Sequence, residues 1–139
     1  MQTYLEYYRQ EIQPRIRRID LFLKTEEPPY EIDAVAEVLE LSLEEITRWM
    51  QEEQLIFLTK RGFLHLLQSG SSSLCRLFCR AVSCGSPQSY TPQEVAYIFG
   101  LPLPTVQQAM EQIGKVCCTE EEFPSLFRQI RIVEKRSLF

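Results

Sequence analysis

Thiols are the residues best placed for chemistry in this chain, because little else is arranged for it. Five cysteines (Cys75, Cys79, Cys84, Cys117 and Cys118) accompany a single histidine, His65. Cys75 and Cys79 are four apart, which puts them on one face of any helix they share. With Cys117 and Cys118 they make four candidate thiolates, a set that suits zinc or an iron–sulfur cluster. The paired C-x-x-C spacing of a zinc ribbon is missing, however, and cysteine is also a common small core residue. An odd count, with no secretion signal at the N-terminus, argues for free thiols over a disulfide framework. His65 stands alone on an apolar stretch and reads as a hydrogen-bonded helix residue. No glycine-rich phosphate loop and no nucleophile–base pair is present, so the sequence asks for no enzyme and implies no cofactor and no metal.

The elements that would carry any site repeat themselves. Tyr30 to Leu67 can be laid over Tyr90 to Phe127 without a gap, an offset of sixty residues. Nine of the thirty-eight positions are identical: Tyr30/Tyr90, Val35/Val95, Ala36/Ala96, Leu41/Leu101, Leu43/Leu103, Met50/Met110, Thr59/Thr119, Phe63/Phe123 and Leu66/Leu126. Val38/Ile98, Leu39/Phe99, Ile46/Val106, Ile56/Val116 and Leu67/Phe127 exchange one apolar residue for another. A tandem duplication matches in this way, since the core fixes the fold while the surface drifts. A unit of about sixty residues buries a marginal core alone, so the copies are expected to pack together.

Tyr4, Leu5, Tyr8 and Ile12 are spaced for one face of a helix over residues 3–12, with Tyr4, Tyr7 and Tyr8 stapling it to the bundle. Pro14 breaks or kinks it, or starts the next helix. Ile16, Ile19, Phe22 and Leu23 continue an amphipathic helix to about Lys24. After the Thr25–Pro29 loop a short helix spans Ile32 to Leu39, and its counterpart runs from Pro92 to Phe99 behind the start signal Thr91-Pro92. Ser42-Leu-Glu-Glu45 has the pattern of a capping box, opening a helix to about Glu53; the matching helix spans Pro104 to Ile113, with Gly114 as its stop. Thr59 caps another helix to about Gln68. The break Ser69–Ser73 precedes the stripe Leu74, Leu77, Phe78, Ala81 and Val82. Near the end, a helix starts at Phe123-Pro124 and runs to about Lys135. The expected class is all-α, a tandem repeat of two trihelical units with short extended pieces. Residues 1–68 would hold the N-terminal helix and first unit, and residues 69–139 the second unit and C-terminal helix.

Within each unit, two helices have helix-turn-helix spacing. That motif wants a small residue at the crossing, a residue tolerant of positive φ four positions on, and a branched apolar residue six beyond that. Ala96, Gly100 and Val106 fit; Ala36, Glu40 and Ile46 fit less well, for want of the glycine. Trp49, the sole tryptophan, falls at a docking position and is expected in the core. The run Glu94-Val-Ala-Tyr-Ile-Phe-Gly-Leu-Pro-Leu-Pro-Thr-Val106 resembles the helix-turn-helix superfamily of bacterial DNA-binding regulators, over about twenty residues per copy.

That resemblance implies a recognition helix whose exposed face enters the major groove of double-stranded DNA. The positions it points to are Thr47, Arg48 and Gln51 in the first copy and Thr105, Gln107 and Gln108 in the second. Gln107 and Gln108 could read adenine and Arg48 guanine. Arg15, Arg17, Arg18 and Lys24 form one basic group and Arg128, Arg131, Lys135 and Arg136 another, and these would hold phosphates. The implied function is a small transcriptional or mobile-element regulator.

Charge argues for a rival. The net charge is −4, and residues 30–67 carry eight acidic against three basic side chains. Carboxylates such as Glu44, Glu45, Glu52 and Glu53 are repelled by phosphates, and DNA affinity rests on Lys and Arg. The alternative is a protein–protein interaction module that kept the scaffold without DNA binding. With no secretion signal and no apolar run long enough to span a bilayer, a cytoplasmic location is expected.

Overall fold

The computed structural model describes residues 2–85 and 87–132. Among these residues it is mostly helical, and its only β pairing consists of isolated bridges. No helix is long and apolar enough to cross a membrane. The helices are α1 (Tyr4–Tyr7), α2 (Gln13–Thr25), α3 (Ile32–Leu39), α4 (Leu43–Glu52), α5 (Lys60–Ser69), α6 (Ser73–Ser83), α7 (Pro92–Phe99), α8 (Leu103–Gln112) and α9 (Phe123–Arg128). They fall into two compact units, one of residues 14–79 and one of residues 2–13 with 80–132. The N-terminal helix α1 groups with residues 80–132.

In the unit of residues 14–79 the turn between α3 and α4 is made by Glu40, in the left-handed region at φ 59° and ψ 40°. The amide of Leu41 then donates back to the Ala36 carbonyl (3.0 Å), and Leu41 enters the core. Ser42 caps α4 by accepting from the Glu45 amide at 3.1 Å. The rest of the expected capping box does not form. The Glu45 carboxylate instead accepts from the backbone amide of Ser71 (3.0 Å) and from the Ser71 hydroxyl, tying α4 to the α5–α6 loop. That loop also needs Gly70, where a Cβ would come 2.8 Å from both Cys75 Sγ and the Leu66 carbonyl oxygen.

The core of this unit is apolar throughout. Phe22 of α2 stacks on Phe63 of α5 at 5.1 Å, and Tyr30 tilts against Phe22 at 5.0 Å. Val35, Leu39, Ile46 and Phe63 are fully buried. Burying one such side chain contributes about 1.5–3 kcal/mol, so α3, α4 and α5 hold together by this face rather than by their short lengths. An antiparallel bridge between Tyr30 and Leu58 sets the entry to α3 against the entry to α5.

In the other unit α1 passes through a π-helical turn, Tyr8–Ile12, before α2 begins. The Gln13 amide reaches back to the Tyr8 carbonyl, five residues earlier. Pro14, which has no amide to give, follows this widened turn and sits in the first turn of α2. Tyr4 packs edge-on against Phe127 (4.8 Å) and Phe99 (6.5 Å), and Phe99 against Phe123 (5.6 Å). The Tyr4 hydroxyl is buried without a hydrogen-bond partner, so the aromatic contacts hold that side chain at a polar cost.

Thr91 and Glu94 form a full capping box around Pro92, with Thr91 amide to Glu94 carboxylate 2.9 Å and Glu94 amide to Thr91 hydroxyl 3.2 Å. Gly100 takes the left-handed turn at φ 67°. Tyr90 and Cys118 bridge through two backbone bonds of 2.7 and 2.9 Å. α9 starts at Phe123 as expected but stops at Arg128, short of Lys135. The Ile130 carbonyl accepts instead from the Tyr4 amide (2.7 Å), and the Ile132 amide donates to the Gln2 carbonyl, so the chain is drawn out of the helix to pair with the N-terminal segment. Lys135 and Arg136 lie outside the described residues.

Candidate functional site

The exposed face of α4 consists of Glu44, Thr47, Arg48 and Gln51, spaced i, i+3, i+4 and i+7. On α8 the same spacing exposes Pro104, Gln107, Gln108 and Glu111. The two sets stand sixty residues apart position for position. Buried Ile46 and Met50 turn the α4 face outward, and buried Val106, Ala109 and Met110 do so for α8. Thr105 is half-buried at the edge of its face.

Electrostatics separates the two faces. On α4 the Arg48 guanidinium lies 3.1 Å from the Glu44 carboxylate, one turn earlier on the same helix. Glu52 and Glu53 are exposed at the end of that helix. The face thus offers carboxylates and one cation already engaged with one of them. On α8 the two amide side chains precede the single carboxylate, Glu111.

Arg15 pairs with Glu40 at 3.1 Å and so reinforces the α3–α4 turn. Arg17 and Arg18 are exposed on α2, in the same unit as α4. Arg128 and Arg131 are exposed at and after the end of α9, in the unit of α8, with Arg131 bridged to Thr3 through the backbone. In that unit Arg80 donates from Nε to the Ile98 carbonyl (3.0 Å), and Lys115 pairs with Glu122 at 2.9 Å.

Glu122 is held well below the usual carboxylate range, at about 2. The Thr119 amide is the main cause, and the Lys115 ammonium adds to it. It serves as the far half of a capping box with Thr119.

Two of the five thiols are buried. Cys75 is buried against the Leu39 carbonyl, and burial raises its pKa. Burial likewise pushes the Cys118 thiol up to about 11, where little thiolate exists at neutral pH. Among the described residues, no group of three or more His, Cys, Asp or Glu is placed to hold a metal ion.

Two features lie beside the α4 face, and the first differs from the expected core position of Trp49. Trp49 is only half-buried, its indole stacked on the exposed His65 ring at 4.8 Å and 15°. Just beyond α4, Leu55, Ile56 and Phe57 are exposed to 39%, 84% and 64%. The sequence of the run Leu55–Leu58 is too short to separate strand from extended linker; only Leu58, held by the bridge to Tyr30, is inside. No protein-family model, curated protein or solved structure matches the chain.

Proposed function

We propose that the chain is a binding protein rather than a catalyst, a tandem repeat of two trihelical helix-turn-helix units, and that its first unit docks on another protein. The repeat is supported by the matched limits of α3 with α7 and α4 with α8, each offset by sixty residues. The bridges Tyr30–Leu58 and Tyr90–Cys118 keep the same offset.

The observation that carries the protein-binding reading is the face of α4. Its one cation, Arg48, is spent on Glu44, and Glu52 and Glu53 follow. Phosphates are repelled there, whereas a basic protein surface is attracted. Leu43, 49% exposed at the start of α4, adds apolar area. In the test, tagged full-length chain is cross-linked to host proteins and compared with a Glu44→Lys/Glu52→Lys variant. A partner captured in stoichiometric amount by the first and lost by the second supports the reading. Equal capture by both removes α4 from it.

A second reading attaches to α8 and duplex DNA. It is favoured by Gln107 and Gln108, exposed together ahead of any carboxylate on that face. Arg128 and Arg131 would then supply the phosphate contacts.

A further inference from the structure

The α4–α5 region holds a half-open cleft of about 280 Å³, lined by Trp49, Glu53, Leu55, Thr59, Arg61 and His65. Its floor depends on Gly62. A Cβ there would come 3.1 Å from Leu58 Cδ1 and 3.4 and 3.5 Å from the Trp49 ring. A side chain at position 62 would therefore press on Leu58 and touch the Trp49 ring, so the glycine keeps the cleft floor open.

The second copy has no such cleft in its sequence. The positions of Trp49, Glu53, Leu55, Arg61, Gly62 and His65 are filled by Ala109, Ile113, Lys115, Glu121, Glu122 and Ser125. The core positions agree between copies while these six do not. Glu122 is moreover used in a capping box and an ion pair with Lys115. A staple joining α4 to α5 would account for Trp49 and Gly62 alone. It does not account for Leu55, Ile56 and Phe57, which run outward from the cleft wall and leave three successive apolar side chains in water. Three successive exposed apolar side chains beside a cleft make a candidate interaction site.

We propose that this cleft, with Ile56 and Phe57 beside it, receives a segment of a partner protein carrying an apolar or aromatic anchor between a basic and an acidic residue. The inference rests on the protein-binding reading and gives that partner a chemistry. Charge sets the two flanks: the α4 side presents Glu52 and Glu53, and the α5 side Lys60 and Arg61, all exposed. An anchor over Trp49 and Leu55 would then place a Lys or Arg toward Glu53 and an Asp or Glu toward Arg61. A protein segment is preferred to a free zwitterion, because only a longer chain also covers Ile56 and Phe57.

Trp49 is the sole tryptophan, so its emission reports on the cleft directly. The full chain is titrated with acetylated, amidated nonapeptides having a central Phe-Leu pair. One has Lys before and Glu after it, one has the reverse order, and one has Gln on both sides; free phenylalanine is a fourth probe. One charged order is expected to shift Trp49 emission with a Kd at or below about 1 mM and to bind at least about threefold tighter than the Gln peptide. Phe57→Ser should weaken it on the order of tenfold. Glu53→Gln should remove most of the preference over the Gln peptide. Both positions are exposed, and circular dichroism checks that the fold is kept.

No emission change with any peptide up to about 5 mM overturns the proposal, as does an unchanged Kd in both variants or equal affinity for free phenylalanine. If the cleft fails in any of these ways while Glu44→Lys/Glu52→Lys still loses the captured partner, the protein-binding reading stands without it.

Discussion

Glu40 holds the same left-handed conformation as Gly100, sixty residues later: φ 59° and ψ 40° against φ 67° and ψ 32°. One is a side chain forced into a region that favours glycine, and the other is the glycine itself. Gly100→Ala should therefore cost about 1 kcal/mol by adding a Cβ in that region. Glu40→Gly should relieve a similar strain but lose the partly exposed pair with Arg15, for a net gain of at most about 0.5 kcal/mol. Urea unfolding of both variants checks this. If Glu40→Gly costs as much as Gly100→Ala, the ion pair rather than the backbone governs the first turn.

Gly70 is a different case, since its φ of −65° suits any residue. The obstacle is contact with the backbone oxygen of Leu66 and the sulfur of Cys75. Gly70→Ala should destabilise by about 1–3 kcal/mol, as overpacked sites do, and lower the denaturation midpoint without changing its slope.

Acid should act on the cap made by Glu122. Its folded pKa of about 2 lies below the ordinary value of 4.5, so the folded state favours the charged form. The stability it contributes is complete above about pH 4.5 and is lost as the pH falls toward 2. Glu122→Gln should flatten that part of the melting temperature–pH curve. An identical loss in wild type and variant between those values would assign the acid sensitivity elsewhere.

The thiols should sort by burial. Cys79 is exposed, whereas Cys75 and Cys118 are buried with raised pKa values. A disulfide reagent at neutral pH should modify Cys79 in a fast phase that Cys79→Ser removes. Cys75 and Cys118 should react only on unfolding, as mass spectrometry of quenched samples would show.

Much of the helical frame was legible in the sequence. α3 and the Phe123 start of α9 are where the residue pattern puts them, because their signals are local: the apolar spacing of Val35, Ala36 and Leu39, and Pro124 at the first turn of α9. Other features were not legible because their causes are distant in sequence. Glu45 leaves its local cap for Ser71, twenty-six residues on. α9 ends early because Tyr4, at the other end of the chain, takes the Ile130 carbonyl. The π turn ahead of Pro14, where the Gln13 amide reaches back to the Tyr8 carbonyl, leaves no local signature in the sequence. The exposure of Ile56 and Phe57 could not be read from an apolar run that ends in one buried residue.

Salt dependence separates the two partners considered for the helix-turn-helix faces. Among the described residues of the unit of α8, Arg128 and Arg131 are exposed cations placed at and after the end of α9. Two such phosphate contacts give a slope of about −2 in log K against log salt, against the six or more contacts of a strong DNA binder. Anisotropy with a mixed pool of labelled duplexes at about 50 and 200 mM salt should accordingly show no binding or a loss of only about tenfold to twentyfold between the two. Should binding occur, Gln107→Ala/Gln108→Ala must weaken it for α8 to be the reader, whereas Arg48→Ala should leave it unchanged. A steep slope together with sensitivity to Arg48 would instead mean that the Glu44–Arg48 pair opens on DNA, and would overturn the assignment of α4 to a protein partner.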